Sequence, residues 1–599
     1  MKTTTSDHLL QRLREWGVRR VFGYPGDGIY GLMGAFDRAG ETMEFVQARH
    51  EELAAFMACG HAKFTGEIGV CMATSGPGAI HLLNGLYDAR LDHQPVVAIV
   101  GQQARAALGG DFQQEVDLHS LYKDVAGAYV TTVLVPAQVR HAVDRALRIA
   151  LEQRTVTCIV VPHDVQELEA VPVPPREHGT VHSGVGITSS AQVASTEALA
   201  RAAGILNAGR RVAILAGAGA LHAGDELVEV AEILGAGIAK ALLGKAAVPD
   251  DLRFVTGAIG LLGTQPSWDL MNRCDTLLMV GSSFPYSEYL PAEGQARGVQ
   301  IDIDTRQLGM RYPMELNLVG DSRETLRGLI PYLEPKSDRR WRNEIEEGVA
   351  QWWRVLEVRA MNDAHPVNPQ RVFWELSPRL PDRCIVTGDS GSTAAWLARD
   401  VRLRHGMRCS LSGGLASMGS AIPYALAAKL AHSDRPVVAL LGDGAMQMLG
   451  LNGLITIAHR WSDWRDPRLA VLVLNNGDLN RVTWEQRTMA GVPRFEASQA
   501  LPAFPYAEFA RMLGLHAVRV DEPGQLGAAW DEVLHADRPA VLEVMADPNV
   551  PPIPPHVTHK QVKAYLSALR QRDPDALRTM IATAKEWWDG KFPPKKPRR

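Results

Sequence analysis

The chain reads as α/β, with three doubly wound parallel-sheet domains followed by a helical C-terminal tail. Three observations predict this. Short apolar runs alternate with longer amphipathic segments over most of the 599 residues, the pattern of parallel strands joined by crossover helices. Two of those runs end in polar turns of a special kind: 437–441 runs into Gly442-Asp443-Gly444, and 469–474 into Asn475-Asn476. The length itself corresponds to roughly three or four domains.

The first unit spans 1–170, with strands expected at 20–22, 68–72, 96–100 and 157–161 and helices at 52–64 and 80–92. Residues 171–190 carry Pro172, Pro174 and Pro175 with little periodicity and read as a linker. The second unit, 191–335, has apolar runs at 212–215, 237–241, 276–280 and 299–303. A charged stretch at 336–340 marks the next boundary, before a Trp-rich helical segment. The third unit, 366–547, contains both polar turns. Beyond it a Pro-rich segment, 548–555, leads into a helical and increasingly basic tail, 548–599 in all.

Composition excludes several classes. A net charge of −4 argues against a general nucleic-acid binder. Six cysteines without CxxC spacing suggest neither a disulfide framework nor a zinc site, and fit a reducing cytoplasm. Residues 1–7 do not read as a secretory signal, and no apolar run reaches membrane-spanning length. Lys63 and Arg49 read as solvated charges.

The polar turns describe a magnesium–diphosphate site. A tight Gly turn lets backbone N–H groups approach a phosphate and aims Asp443 at a cation. The second strand delivers Asn476 to the same carboxyl edge of a parallel sheet, where open α/β folds bind ligands. Mg²⁺ takes few protein oxygens and completes its shell with phosphate. Asp443, Asn476 and the backbone carbonyl of Asp478 would supply them.

The pair Gly442-Asp443-Gly444…Asn475-Asn476 resembles the signature of thiamin diphosphate enzymes. Thirty residues separate its halves, more than usual, and the excess at 461–467 reads as a surface excursion. Gly23-Tyr24-Pro25-Gly26, Arg49-His50-Glu51-Glu52 and Thr74-Ser75-Gly76-Pro77-Gly78-Ala79 resemble the pyrimidine-binding domain of the same superfamily. The resemblance covers nearly the whole chain, in the order pyrimidine, middle and diphosphate domain. It implies cofactor contacts at Pro25, Gly26, Thr74, Gly78, Gly442 and Gly444. It also implies Glu51 as the carboxyl that pushes the cofactor's pyrimidine toward its imino form, a role that burial favours by raising a Glu pKa. Met418 would wedge between the cofactor rings, and the Ala416 carbonyl would hold the pyrimidine amino group. The family's site forms between subunits, implying a homodimer or homotetramer.

Within the superfamily the middle and C-terminal regions look most like pyruvate oxidases, especially the quinone-dependent pyruvate dehydrogenase branch. The strings are Leu215-Ala216-Gly217-Ala218-Gly219, Ile259-Gly260-Leu261-Leu262-Gly263-Thr264, Gly281-Ser282-Ser283-Phe284-Pro285-Tyr286, Ile301-Asp302-Ile303-Asp304 and the run 547–556. This implies FAD on the middle domain, contacted by Gly217, Gly219, Ser283 and Phe284, with acidic contacts at Asp302 or Asp321. Nine residues after Asn476, Glu485 matches an active-site Glu of the oxidases, whereas acetohydroxyacid synthases carry Trp there. Here the Trp comes one residue earlier, at Trp484. Arg481 stands where oxidases carry an aromatic residue, and Asn480 where they usually carry Gly. Gln113 matches a substrate-loop glutamine.

The resemblance therefore implies oxidative decarboxylation of a 2-oxoacid, pyruvate or a relative, to the carboxylic acid and CO₂, with quinone or oxygen as acceptor. The alternatives are a carboligase of the acetolactate synthase type that keeps FAD structurally, and a non-catalytic relative. In the tail, Leu577, Met580, Ile581, Ala584 and Trp588 recur at helical spacing beside Lys585, Lys591, Lys595, Lys596, Arg598 and Arg599. This pattern fits either a helix docked on its own protein or a peripheral contact with the inner face of a membrane.

Overall fold

The computed structural model describes residues 2–591 apart from Ser189, Pro555 and Arg572. Among the described residues the chain builds three six-stranded, wholly parallel sheets. The first joins β1 (Arg20–Gly23), β2 (Glu44–Gln47), β3 (Gly69–Ala73), β4 (Val96–Gln102), β5 (Val130–Thr132) and β6 (Val156–Pro162) in the order 2-1-3-4-6-5. The second joins β7 (Val212–Ala216), β8 (Gly237–Lys240), β9 (Val255–Ala258), β10 (Thr276–Val280), β11 (Arg297–Asp302) and β12 (Leu316–Val319) in the order 12-11-10-7-8-9. The third joins β13 (Ile385–Gly388), β14 (Arg408–Ser410), β15 (Val437–Gly442), β16 (Leu469–Asn475), β17 (His516–Val520) and β18 (Ala540–Met545) in the order 14-13-15-16-18-17.

Each sheet is covered by helices on both faces, so its central strands are apolar on both sides. The first and third sheets share a core. Helix Ala421–Ala431 is buried almost all round and packs along helix Glu51–Thr65, with Phe56 and Tyr424 meeting edge-on. An amphipathic helix could not sit there; a helix apolar on every face belongs inside. Helix Arg340–Ala360 joins the middle and third units: Trp341, Ile345 and Val349 enter the middle core, while Trp352, Val355 and Leu356 pack beside Trp374.

The stretch 461–467 is the expected surface excursion between helix and strand, with Ser462, Asp463 and Arg465 exposed, but it is pinned at one residue. Trp464 is buried in the shared core under the Lys429 ammonium, which donates to the carbonyls of Arg435 and Asp466. One expectation is corrected here: Lys63 is not solvated. Its ammonium is buried, donates to Asp92 Oδ2 at 2.6 Å and the Leu411 carbonyl at 2.7 Å, and so spans the first and third units. The linker 171–190 is irregular but laid along the first unit, where the carbonyls of Ser183 and Gly184 accept from Arg140 and Arg148.

The six cysteines are buried and unpaired. Among the described residues no helix is long and apolar enough to cross a membrane.

Candidate functional site

β15 and β16 pair in register, so Gly442 lies opposite Leu474 and the two polar turns emerge side by side. Asp443 follows the strand and opens a continuous helical run, 443–460, that passes through a π-type turn at Met446–Gly450. Its carboxylate accepts only backbone N–H groups: Gly444 on Oδ1 at 3.0 Å, and Asn476 and Gly477 on Oδ2 at 3.0 and 2.7 Å. Among the described residues it has no cationic partner. Burial pushes its pKa up to about 6 despite these donors. A buried acid with donors but no countercharge fits a metal ion, which would supply that charge. Asn476 accepts the Asp478 N–H on Oδ1 at 3.1 Å, and the Asp478 carboxylate is taken by Arg494 at 3.0 Å; the Asp478 carbonyl accepts the Asn480 N–H at 2.7 Å and keeps a second lone pair for a cation.

Met418 reaches this turn. A Cβ on Gly444 would stand 3.1 Å from Met418 Cε and 2.8 Å from Leu479 Cδ2, so glycine is what allows the approach. The loop before Met418 is held from several sides. Ala416 adopts a φ of 55°, a left-handed conformation that strains a residue with a Cβ. Asp389, which sequence reasoning missed, orders the loop by accepting the N–H groups of Gly419 and Ala421, each at 2.9 Å. Asp92 accepts Gly413 and Gly414, and Ser390 Oγ donates to the Ser417 carbonyl. The signal for Asp389 was present: Gly388-Asp389 follows the apolar run of β13 as Gly442-Asp443 follows β15.

In the first unit, Glu51 opens helix Glu51–Thr65 and is buried. Its Oε2 lies 3.0 Å from His81 Nδ1, while Oε1 faces Gly78, where a Cβ would stand 3.1 Å away. His50 caps the helix by accepting the Glu52 N–H and lies against the His81 ring at 4.6 Å. His81 is a second residue that sequence reasoning missed; an isolated His gives no spacing signal. Glu52, Asn84 and Ser417 form a hydrogen-bonded chain, 2.5 and 2.9 Å, from this helix to the Met418 loop. The turn at Pro25 and Gly26 lies against Thr74, whose Oγ1 accepts the Gly28 N–H at 2.9 Å.

Residues 3–121 match the family model "Thiamine pyrophosphate enzyme, N-terminal TPP binding domain". Residues 199–329 match its "central domain" and 389–544 its "C-terminal TPP binding domain". The chain belongs to the thiamine pyrophosphate enzyme family. It is similar to "Putative thiamine pyrophosphate-containing protein YdaP" of Bacillus subtilis (strain 168), 34% identical over 94% of this chain and 95% of that protein. It is also similar to "Pyruvate oxidase" of Lactiplantibacillus plantarum, 30% identical over 74% of this chain and 72% of that one. A third relative is "Acetolactate synthase" of Arthrospira platensis, 30% identical over 91% and 94%.

In this thiamine pyrophosphate enzyme the substrate-side candidates lie on two segments. Gln113 lies exposed in its loop, and Gln114, at a φ of 61°, is the glutamine that meets the Ser75-Gly76 turn. Helix Asn480–Glu485 follows the Asn476–Asp478 turn. Trp484 points inward: it is buried, its indole N–H donates to the Pro548 carbonyl at 3.3 Å, and it stacks on Tyr565. Glu485 is half-exposed and accepts from Arg481 Nε at 2.7 Å.

In the middle unit the loops after β7 and β10 touch: a Cβ on Gly217 would stand 2.2 Å from the Gly281 carbonyl oxygen, and one on Gly219 would stand 2.8 Å from Gly281 Cα. Ser283 is half-buried beside Phe284, which is buried against Gly260. Asp302 ends β11, buried, and its pKa is raised chiefly by that burial. Asp321 caps helix Ser322–Leu329 by accepting the Glu324 N–H at 3.0 Å. Asp302 likewise accepts one backbone N–H, from Asp304 at 2.9 Å, so each of the two acids keeps a second carboxylate oxygen.

The tail docks on this site's own supports. Arg487, on the turn after Glu485, makes a bidentate buried pair with Asp573, 2.8 Å at both contacts. Gln571 donates to the Gly491 carbonyl at 3.0 Å. Glu586 pairs with Arg359 at 3.1 Å, anchoring helix Ala576–Lys591 on helix Arg340–Ala360. Leu577, Met580, Ile581 and Trp588 remain exposed. Lys595, Lys596, Arg598 and Arg599 lie outside the described residues.

Proposed function

We propose that the chain is a thiamin diphosphate- and FAD-dependent oxidoreductase that decarboxylates a 2-oxoacid to the carboxylic acid and CO₂. The observation that carries this reading is the register of 484–485. Trp484 is turned into the protein and tied to Pro548, while Glu485 is the side chain left at the surface of the helix. A Trp committed to the core is not free to select a second oxoacid, which supports oxidation over carboligation.

Bound thiamin diphosphate would supply the electron sink for decarboxylation, and bound FAD the acceptor of the electron pair. The chain's own residues hold and orient. Asp443, the Asn476 side-chain oxygen and the Asp478 carbonyl would hold Mg²⁺. The N–H groups that begin the helix at 443–445, with Gly442 and Gly444, would receive the diphosphate. Glu51 would hold the proton shared with the pyrimidine ring on the oxygen that faces Gly78, its other oxygen being taken by His81. Pro25, Gly26 and Thr74 would form the wall beside it. The strained Ala416 carbonyl would accept the amino group and Met418 would support the bend. Gly217, Gly219, Ser283, Phe284, Asp302 and Asp321 would line the FAD site. Glu485 would act on the substrate side, as would Gln113.

The electrons would pass to quinone or oxygen. The working form would be a homodimer or homotetramer in the cytoplasm. The exposed apolar face of the last helix would give it a peripheral membrane contact.

Anaerobic mixing of the FAD-loaded protein with thiamin diphosphate, Mg²⁺ and a panel of 2-oxoacids, pyruvate included, tests the reaction. Flavin bleaching is expected. An unbleached flavin with acetolactate accumulating from pyruvate would overturn the reading in favour of a carboligase, which the similarity to acetolactate synthase supports.

A further inference from the structure

Arg481 is the charge that the proposed reaction leaves without a task. It lies in the first turn of helix Asn480–Glu485, directly after the Asn476–Asp478 turn. Its Nε–H donates to Glu485, and among the described residues neither Nη group has a hydrogen-bond partner. An ordinary surface pair four residues apart would leave both side chains open to water. Here Arg481 is only 18% exposed and Glu485 42%.

The guanidinium lies on the seam between the third unit and the middle unit. Its charge acts on both Arg399 and Tyr289. Arg399 is buried across that seam, donating to the carbonyls of Leu261 and Gly263 at 2.9 and 3.0 Å. The segment after β18 runs along the same seam. Its Pro548 carbonyl takes Asn480 Nδ2 at 2.7 Å, and its His556 stacks on Trp268, which meets Tyr289 edge-on.

Of the acids beside Arg399, burial pushes Asp400 up to about 7, while Glu586 is paired with Arg359 at 3.1 Å. An arginine keeps its charge throughout the working pH range. A planar fork whose Nε is held by Glu485 and whose two Nη groups have no hydrogen-bond partner among the described residues matches a carboxylate on its open edge.

That carboxylate is not the one lost as CO₂. A fixed cation hydrogen-bonded to a departing carboxylate stabilises the ground state and opposes decarboxylation. The partner must be an acid that stays on the substrate. We propose that Arg481 is a specificity-determining residue that binds a second carboxylate, so that the substrates are 2-oxo dicarboxylic acids rather than pyruvate. This rests on the 2-oxoacid reading above and narrows it.

The test separates binding from turnover. Glu51→Gln holoenzyme, loaded with thiamin diphosphate, Mg²⁺ and FAD, is titrated by calorimetry with 2-oxoglutarate and with 2-oxobutanoate. Both ligands share the 2-oxoacid end, so their affinity ratio isolates the second carboxylate. The expected ratio favours 2-oxoglutarate by roughly 10- to 100-fold. It should collapse to about one in Glu51→Gln/Arg481→Leu and recover in part in Glu51→Gln/Arg481→Lys, which keeps the charge without the fork. A ratio near one in the parent, or one kept in the Leu variant, overturns the proposal; if the Leu variant fails to fold, the parent and Lys ratios still decide. Binding of neither ligand overturns this inference and the 2-oxoacid reading together. Arg481-dependent binding without CO₂ release from either acid in wild-type holoenzyme keeps the site and sinks the reaction.

Discussion

Replacing Lys63 by Met should loosen the candidate cofactor loop from a distance, and the structure sets the size of the effect. The ammonium is buried between Asp92 and the Leu411 carbonyl, over the Tyr424 ring at 4.6 Å. Without it the Asp92 carboxylate keeps only the N–H groups of Gly413 and Gly414, with Asp88 close by. Breaking a buried pair by removing one partner costs about 3–5 kcal/mol, because the remaining charge stays buried and uncompensated. For a unit of this size that corresponds to a fall of about 10 °C in the melting midpoint of the transition it controls. Residues 413–414 lead directly to Ala416 and Met418, so thiamin diphosphate affinity should fall as well. Lys63 has a raised pKa, from Asp92 and Asp88 outweighing burial, so its contribution persists throughout the neutral range and is lost only above the ordinary lysine value. Asp92→Asn in the Lys63→Met background should recover at least half of the lost midpoint. Thermal unfolding and cofactor titration of both single variants and the double variant decide it. A Lys63→Met protein that melts within 2 °C (a change of roughly half a kcal/mol) of wild type, or losses that simply add in the double variant, would refute the reasoning.

Four further outcomes are expected. Glu51→Gln should abolish 2-oxoacid turnover while thiamin diphosphate still binds; full activity in steady-state assays would remove Glu51 from the mechanism. Asp443 has its pKa raised to about 6, so the apo chain favours its protonated form and loses stability as pH rises through that value. A cation needs the ionised form. Affinity for Mg²⁺–thiamin diphosphate should therefore drop roughly tenfold per unit below about pH 6, and calorimetry should find that dependence gone in Asp443→Asn. Arg487→Ala strands the buried Asp573 carboxylate and should free the tail, read as new cleavage after about residue 555 in limited proteolysis; an unchanged digest counts against the clamp. Vesicles with anionic lipid should float the full chain but not one truncated after Asp573, and equal flotation would end the membrane reading.

How much of the fold was legible depended on where a strand sits in its sheet. The strands expected at 20–22, 68–72, 96–100, 157–161, 212–215, 237–241, 276–280 and 299–303 are β1, β3, β4, β6, β7, β8, β10 and β11, all internal. The strands that escaped notice include the edges β2, β5, β9, β12, β14 and β17. An internal parallel strand is apolar on both faces and shows as an unbroken run. An edge strand is short and half-covered: β5 is half-buried throughout, and β2 has one buried residue. Lys63 was misread for a related reason. Burial of a charge depends on partners such as Leu411, far along the chain, which no local pattern reveals.

The site shows the same limit in a sharper form. Asp389 and Asp443 both follow a glycine at the end of a central strand of the third sheet. Both accept three backbone N–H groups, and burial pushes both pKa values up to about 6. By sequence and by local chemistry they are alike. What separates them is where the donors come from. Two of those on Asp389 belong to Gly419 and Ala421, so its charge is spent holding a distant loop onto the start of helix Ala421–Ala431. Those on Asp443 belong to its own turn and to Asn476-Gly477, the end of the neighbouring strand. They shape the turn without covering it, and Asn476 brings a second oxygen to the same edge. An acid spent on holding a loop and an acid left open at a sheet edge therefore differ in tertiary context alone. Asn475-Asn476 is what singles out the second in the sequence.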